Sequence, residues 1–338
     1  MTCRDFSPIR WPWLLVVLLT SGCGDSRASS PVWSQAFDGT SIGWLMNVWG
    51  TSGQDRWVAG GPRDSGVLMH RDDSAWSQVE LADTPPLLNW IYGFGTDDVT
   101  AVGNDGYVAH FDGLTWQQQP TPTVQHLWGV WGARPDSLWA VGGTGRAAGG
   151  VPTVLYYDGV DWSEVALPAI QRTGVYAFFK VWGSDENDIY VVGQQGVVLR
   201  YDGVTWNELF VGAGDDLIAV WGTGRDRVVL VGGRANGWIS TWDGSVWRSQ
   251  SVSPLPGLNG VWMRDPSSVH LAGVRGTLAT MDFDTFTIEL DRAPTTDMDF
   301  HAVFGTDDGV LTAVGGNLAS PSAPWQGIAY ERTLLEDE

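Results

Sequence analysis

Apolar and polar residues alternate along most of the chain in short runs, broken by Asp, Gly, Asn and Ser, a pattern of short half-buried strands joined by tight turns. The runs recur in order. Val48-Trp49-Gly50 returns as Ile91-Tyr92-Gly93, Val130-Trp131-Gly132, Val181-Trp182-Gly183, Val220-Trp221-Gly222, Val261-Trp262-Met263 and Val303-Phe304-Gly305, at intervals of 43, 39, 51, 39, 41 and 42 residues. Ten residues after each third position stands the glycine of an Ala-Val-Gly-like step: Gly60, Gly103, Gly142, Gly193, Gly232, Gly273 and Gly315. Between the two markers lie turn residues such as Asp98, Asp136 and Asp188, followed by a β-branched or aromatic run. This predicts strand, Asp-capped turn, strand.

A third marker completes each repeat. It reads Phe111-Asp112-Gly113-Leu114-Thr115-Trp116, Tyr157-Asp158-Gly159-Val160-Asp161-Trp162, Tyr201-Asp202-Gly203-Val204-Thr205-Trp206 and Trp242-Asp243-Gly244-Ser245-Val246-Trp247. Degenerate forms occupy 71–76 and 281–286. Asp-Gly between alternating runs is a strong hairpin signal, because both turn residues can take positive φ. Each repeat is therefore four short antiparallel strands. A sheet of about forty residues cannot cover both its faces, so several must pack around a common axis as propeller blades. The first aromatic is expected to pack an inner strand on the neighbouring blade, and the second to hold the outermost strand on the same interface.

The seventh copy lacks its Asp-Gly-x-x-Trp end. The missing strand is expected from Pro31-Val32-Trp33-Ser34-Gln35-Ala36, which resembles Ala75-Trp76-Ser77-Gln78-Val79. The predicted fold is all-β: a seven-bladed propeller over 32–338, closed by an N-terminal strand in the last blade. Such a closure removes the exposed seam.

The first residues obey a different rule. Arg4 and Arg10 precede the apolar run Trp11 to Thr20, the length of a signal-peptide core and too short for a comfortable membrane span. The run ends at Leu19-Thr20-Ser21-Gly22-Cys23, which resembles the lipobox of bacterial lipoproteins, with Thr20 where Leu is usual. The only other cysteine, Cys3, falls in the segment to be discarded. We read 1–22 as a signal peptide, Cys23 as the lipidated residue and 23–31 as lipid site and polar tether. Gly24 in place of a retention Asp implies, by the same resemblance, the outer membrane.

Composition sharpens this picture. Gly 44 and Trp 21 describe a turn-rich chain with many large apolar side chains. The formal net charge is −20, and loss of two arginines and one aspartate with the signal takes it to −21. That field excludes nucleic acid and bare anionic lipid as partners. Contact with membrane is expected through the lipid alone, and the molecule is expected to be a monomer.

The Val-Trp-Gly, Ala-Val-Gly and Tyr-Asp-Gly-x-Thr-Trp repeats resemble those of secreted and lipid-anchored propellers from myxobacteria and relatives, which are similar in turn to kelch and sialidase-like propellers. The resemblance covers roughly 32–332 and implies the fold, not a function. The sialidase Asp-box reads Ser-x-Asp-x-Gly-x-Thr-Trp, whereas Asp202 and Gly203 here are adjacent.

Positions that break the repeat are candidates for chemistry. His70 and His110 stand where other repeats have Tyr156, Arg200 and Thr241, and His270 stands where others have Trp57 and Trp139. Residues so interchangeable are poor metal ligands, and no metal site or cofactor is expected. The acidic turns Ser184–Asp188, Thr96–Asp98 and Thr306–Asp308 lack the order of a calcium loop, which leaves calcium a minor alternative. His126 and His301 begin inner strands and could reach the central channel.

Function in propellers favours the end carrying the loops between second and third strands and between blades. There the sequence places Arg63, Asn104, Asp105, Arg146, Gln194, Gln195, Arg234 and Arg275. The four guanidiniums could form a cationic patch that grips carboxylates or sulfates of a protein or glycan at the cell envelope. The expected function is a non-enzymatic binding scaffold. The alternative, a sialidase-like or other carbohydrate-active enzyme, needs a carboxylate pair, or a tyrosine with a carboxylate, facing the channel. No catalytic set stands out in the sequence.

Overall fold

The computed structural model describes residues 32–73, 75–291 and 296–334. The calls on 1–22, on Cys23 and on the whole 23–31 tether lie outside the described residues. Blade 7 combines the two ends of this span: β1 (Ser34–Phe37) forms its outer edge. Blade 1 is β2 (Trp44–Ser52), β3 (Asp55–Gly61), β4 (Val67–Asp72) and β5 (Ala75–Gln78). Blade 2 is β6 (Leu88–Gly95), β7 (Asp98–Gly103), β8 (Val108–Phe111) and β9 (Trp116–Gln119). Blade 3 is β10 (Leu127–Arg134), β11 (Ser137–Gly142), β12 (Thr153–Tyr157) and β13 (Trp162–Glu164); blade 4 is β14 (Phe178–Asp185), β15 (Asp188–Gly193), β16 (Val198–Tyr201) and β17 (Trp206–Leu209). Blade 5 is β18 (Leu217–Gly224), β19 (Arg227–Gly232), β20 (Trp238–Trp242) and β21 (Trp247–Ser251); blade 6 is β22 (Leu258–Trp262), β23 (Ser268–Gly273), β24 (Thr277–Asp282) and β25 (Ile288–Leu290). Blade 7 begins with β26 (Asp299–Gly305), β27 (Val310–Gly316) and β28 (Gly327–Thr333).

All seven sheets are four-stranded antiparallel meanders, and β1 pairs with β28 through Ser34↔Glu331 and Gln35↔Tyr330. The closure expected from the sequence is the one observed. It is reinforced across the seam, where the buried Arg56 of blade 1 donates to Thr312 Oγ1 at 2.6 Å and pairs with Glu331 at 2.8 Å, both in blade 7. Trp33 Nε1 donates to Asp291 at 2.9 Å.

The markers have a steric cause. In six of the seven copies the first aromatic is followed by Gly. In most blades that glycine receives the ring of the preceding blade: a Cβ on Gly93, Gly183, Gly222 or Gly305 would lie 2.4–2.6 Å from the indole of Trp49, Trp131, Trp182 or Trp262. Blade 6 has Met263 there, and Trp221 of blade 5 donates its N–H to the Met263 carbonyl at 3.0 Å instead. The glycine of Ala-Val-Gly serves another approach. At Gly142 and Gly315 a Cβ would lie 1.9 Å from the carbonyl oxygen of His126 and Asp299, the residues that lead into their inner strands. The second aromatic returns to the same inter-blade interface: Trp116 meets Trp57 edge-on at 5.4 Å, and Trp206 meets Trp139 likewise at 5.4 Å.

One expectation is corrected. In the Asp-Gly turns only the glycine takes positive φ, 86° at Gly113 and 90° at Gly203. The aspartate works through its carboxylate. Asp112 Oδ1 accepts from the N–H groups of Leu114 and Thr115 at 3.0 and 2.8 Å, and Asp158, Asp202 and Asp243 repeat the arrangement. These are Asx-type turns of four residues, not two-residue hairpins.

Inner strands are stitched by side chains reaching neighbouring main chain. Asn47 accepts from the Ile91 N–H at 3.0 Å, Asn89 donates to the Leu127 carbonyl at 2.9 Å, and Asn259 donates to the Phe300 carbonyl at 2.9 Å. His301 Nδ1 lies 2.6 Å from the Met46 carbonyl, which fixes the proton on that nitrogen. Lys180, the one lysine, donates to the Trp128 carbonyl at 2.8 Å with its ammonium 4.2 Å from the Trp90 ring. It is 3% exposed, and burial brings its pKa down to about 7.

Candidate functional site

In a four-stranded meander the loops between second and third strands and those joining blades emerge at one end. There, a cleft of about 470 Å³ spans the first three blades, within the range of about 300–1,000 Å³ usual for ligand sites. It is lined by Trp44, Leu87, Trp128 and Ala148 on the apolar side and by Arg63, Asn104, His126, Thr144 and Arg146 on the polar side. No carboxylate is among these residues, in a chain with 39 acidic and 19 basic side chains.

Backbone bonds set the walls. Leu87 N–H donates to the Arg63 carbonyl at 3.2 Å, and Asn104 N–H donates to the Leu87 carbonyl at 2.9 Å. The loop that carries Arg146 is held by two glutamines from its flanks. Gln125 Oε1 accepts from Thr144 and Val151 N–H at 3.1 and 3.2 Å, its amide donates to Gly149 at 3.0 Å, and Gln194 donates to the Gly145 carbonyl at 2.9 Å. The side chains of Arg63 and Arg146 are exposed and make no ion pair among the described residues.

The indoles offer faces, since their N–H groups are occupied. Trp44 donates to Asn317 Oδ1 at 3.1 Å and Trp128 to the Gly143 carbonyl at 2.8 Å. Asn104 Oδ1 accepts from Asn89 at 3.1 Å. His126 Nδ1 accepts the Asp105 N–H at 3.1 Å, so its proton resides on Nε2. Burial lowers the pKa of His126 first; the Asp105 carboxylate opposes this, and the Arg63 and Arg146 charges add to the lowering. The hydroxyl of Thr144 is buried without a hydrogen-bond partner.

The residues singled out from the sequence therefore separate. Arg63, Asn104 and Arg146 share the cleft, and Asp105 orients its histidine. Gln194 is a support: its amide oxygen also accepts from Tyr176 N–H at 2.8 Å. Gln195, with φ 56°, donates its N–H to Asp216 at 2.9 Å and accepts from Arg172 at 2.6 Å. Arg234 is neutralised by a short contact to Asp216, with Asp215 accepting its backbone N–H at 2.8 Å. Arg275, in blade 6, takes φ 55° and its N–H donates to Asp299 at 2.9 Å. Of the four arginines, the structure brings Arg63 and Arg146 into one cleft, while Arg234 and Arg275 lie in blades 5 and 6. Trp44, Leu87 and Trp128 escaped the sequence reading because each stands at or next to the start of an inner strand at a position that varies between repeats: Trp44 and Leu87 align with His126, Ala177 and Asp216, and Trp128 with Asn89 and Phe179.

His70 and His110, outside the cleft, pair within their own blades, whereas His301 reaches across to blade 1. His70 Nε2 lies 2.7 Å from Asp55 and the ring stacks on Trp57 at 3.8 Å; His110 lies 3.3 Å from Thr100. Arg200, at the same place in blade 4, bonds Asp188 at 2.7 Å. Of the acidic turns, Asp308 accepts the Gly53 N–H at 2.8 Å and Asp185 pairs with Arg225 at 2.7 Å. Among the described residues no three His, Cys, Asp or Glu side chains converge.

No family model matches the chain. A curated relative, the immune protein Tsi7 of Pseudomonas aeruginosa, is 28% identical over 130 residues, which is 33% of this chain and 42% of that protein. The match thus spans less than half the relative's length. Among solved structures, YCF48 bound to D1 peptide is similar with TM-score 0.66 and 16% identity over 91% of this chain and 96% of that one. YCF48 from Cyanidioschyzon merolae gives 0.68 and 12% over 90% and 99%, and the WD40 propeller domain of Doa1 gives 0.69 and 8% over 90% and 98%. At these identities the likeness is one of fold.

Proposed function

We propose that the chain is an exported, lipid-anchored, non-enzymatic propeller whose loop end binds a protein at the cell envelope. The observation that carries the reading is the pair Arg63 and Arg146, unpaired among the described residues, beside two indole faces in a strongly acidic molecule. Unpaired guanidiniums next to aromatic rings are the composition of energetic anchors in protein interfaces. Protein recognition also agrees with a peptide-bound propeller among the structural neighbours and an immune protein among the relatives. β1 begins at the end of blade 7 opposite the cleft.

A carbohydrate-active enzyme would need a pair of carboxyl groups flanking the bond to be cleaved. The cleft presents none among its lining residues. A cell-envelope polysaccharide as the bound partner is the competing form of the scaffold reading.

The test is retention of solubilised envelope material by the purified chain and by its R63A/R146A variant. Protease-sensitive material held by the first and lost from the second is expected. Equal retention removes the cleft from the proposal, and retention that resists protease but yields to glycan-degrading enzymes replaces protein by polysaccharide. For the anchor, a C23A variant is expected to leave the membrane fraction; its continued sedimentation with membrane would refute lipidation at Cys23.

A further inference from the structure

We infer that the cleft takes an extended peptide segment in which carboxylate side chains flank a large apolar residue, an inference that rests on the binding role proposed for this end of the propeller. The argument is one of unspent donors and missing acceptors. The lining offers two guanidiniums, the Nε2–H of His126 and the amide hydrogens of Asn104. Of its side-chain acceptors, Asn104 Oδ1 already accepts from Asn89 and His126 Nδ1 from the Asp105 N–H, and the Thr144 hydroxyl lies buried behind the surface of the cleft. Both indole N–H groups are bonded within the protein, so Trp44 and Trp128 present only ring faces, with Leu87 and Ala148 beside them.

A ligand that fits must bring acceptors and an apolar body. A sugar brings hydroxyls, each of which donates as well as accepts, and the cleft has almost nothing to receive those protons. A peptide with Asp or Glu brings carboxylates to the guanidiniums, backbone carbonyls to the remaining donors, and a side chain to the ring faces. Desolvating the rim strengthens the ion pairs. The surrounding surface is acidic, so a highly charged chain would be repelled beyond the cleft; the anionic residues must be few and local.

A random heptapeptide display library, selected in parallel on the full chain and on R63A/R146A, tests this directly. Enrichment of sequences with one or two acidic residues next to Phe, Trp, Leu or Met is expected on the wild-type chain only. The soluble peptide Ac-Gly-Glu-Phe-Glu-Gly-amide should then bind at least tenfold more tightly than its Gln-Phe-Gln counterpart, and weaken as salt rises from low to high. Trp44→Ala is expected to weaken both peptides, while Arg275→Ala leaves binding unchanged. Equal binding of the Glu and Gln peptides, enrichment with no acidic preference, or tighter binding of a galacturonate oligosaccharide would overturn the inference. If envelope protein is still captured through Arg63 and Arg146 while acidic peptides fail, the ligand class falls and the binding role stands. If the double variant captures as wild type does, both fall.

Discussion

The indole of Trp131 rests where a side chain on Gly183 would begin: a Cβ at Gly183 would lie 2.6 Å from its ring edge and 2.9 Å from the Asp188 carbonyl. The contact joins blade 3 to blade 4 and recurs in most of the ring. Gly183→Ala should therefore lower the stability by about 1–3 kcal/mol, the usual cost of overpacking a filled interface. Gly214→Ala, where nothing lies within 4 Å, is the control and should stay within about 0.5 kcal/mol. Urea denaturation followed by tryptophan fluorescence distinguishes the two.

Removing one partner of the seam between blades 1 and 7 leaves the other charged. Arg56→Met is expected to cost roughly 2–4 kcal/mol, somewhat below the range for fully enclosed pairs because Glu331 is partly exposed. The double variant R56M/E331M should recover part of the loss. A double-mutant cycle on chemical denaturation reads the coupling directly.

Lys180 makes stability rise with alkalinity. Its folded pKa of about 7 lies below the ordinary value of 10.5, so between these pH values the unfolded chain binds more protons than the folded one. Stability therefore increases from pH 7 towards 10.5 and is lost as pH falls back through that window. Lys180→Met should flatten the slope of unfolding free energy between pH 7 and 9.5. An unchanged slope would mean that the ammonium is not the titrating group.

The turn aspartates act at the other end of the scale. Hydrogen bonds from Ser245 and Val246 hold the Asp243 pKa down to about 2, and backbone N–H groups lower Asp112, Asp158 and Asp202. Their contribution is complete above the unfolded value of 3.8 and disappears as pH falls through the folded values. Replacing the four by Asn keeps an acceptor in each turn but removes the titration. Thermal denaturation between pH 4 and 2 should then be less steeply pH-dependent than in the wild type.

Gln125 is the clamp of the Arg146 loop. Gln125→Ala removes three bonds to 144–151 and should speed hydrogen exchange at the Thr144 and Val151 amides without moving the amides of β11. Binding at the cleft should weaken along with it, by less than the loss on removing Arg63 and Arg146 together.

The ring was legible in the sequence because its cause is local and repeated. Each blade needs an aromatic to cover its neighbour and a glycine to receive one, so seven similar segments announce seven sheets, and the orphan Trp33 segment announces the closing strand. The site was legible only in part. Arg234 reads like Arg63 along the chain, yet Asp215 and Asp216 of the preceding inter-blade linker quench it, a pairing set by how that linker packs beside the loop. Lys180 is the one lysine of the chain, and its role against Trp90 and Trp128 depends on a distance across blades that no spacing encodes. The Asp-Gly turns show a subtler lesson, because two conformations satisfy the same dipeptide and the choice belongs to the two residues after it.

The pairing of β1 with β28 joins positions 34 and 331. A chain emerging from its N-terminus thus carries a strand whose edge stays unsatisfied until the segment around residue 331 has been made. Closure of the wheel consequently waits for β28, and a chain lacking that strand would carry two unsatisfied sheet edges, prone to pair with a second molecule.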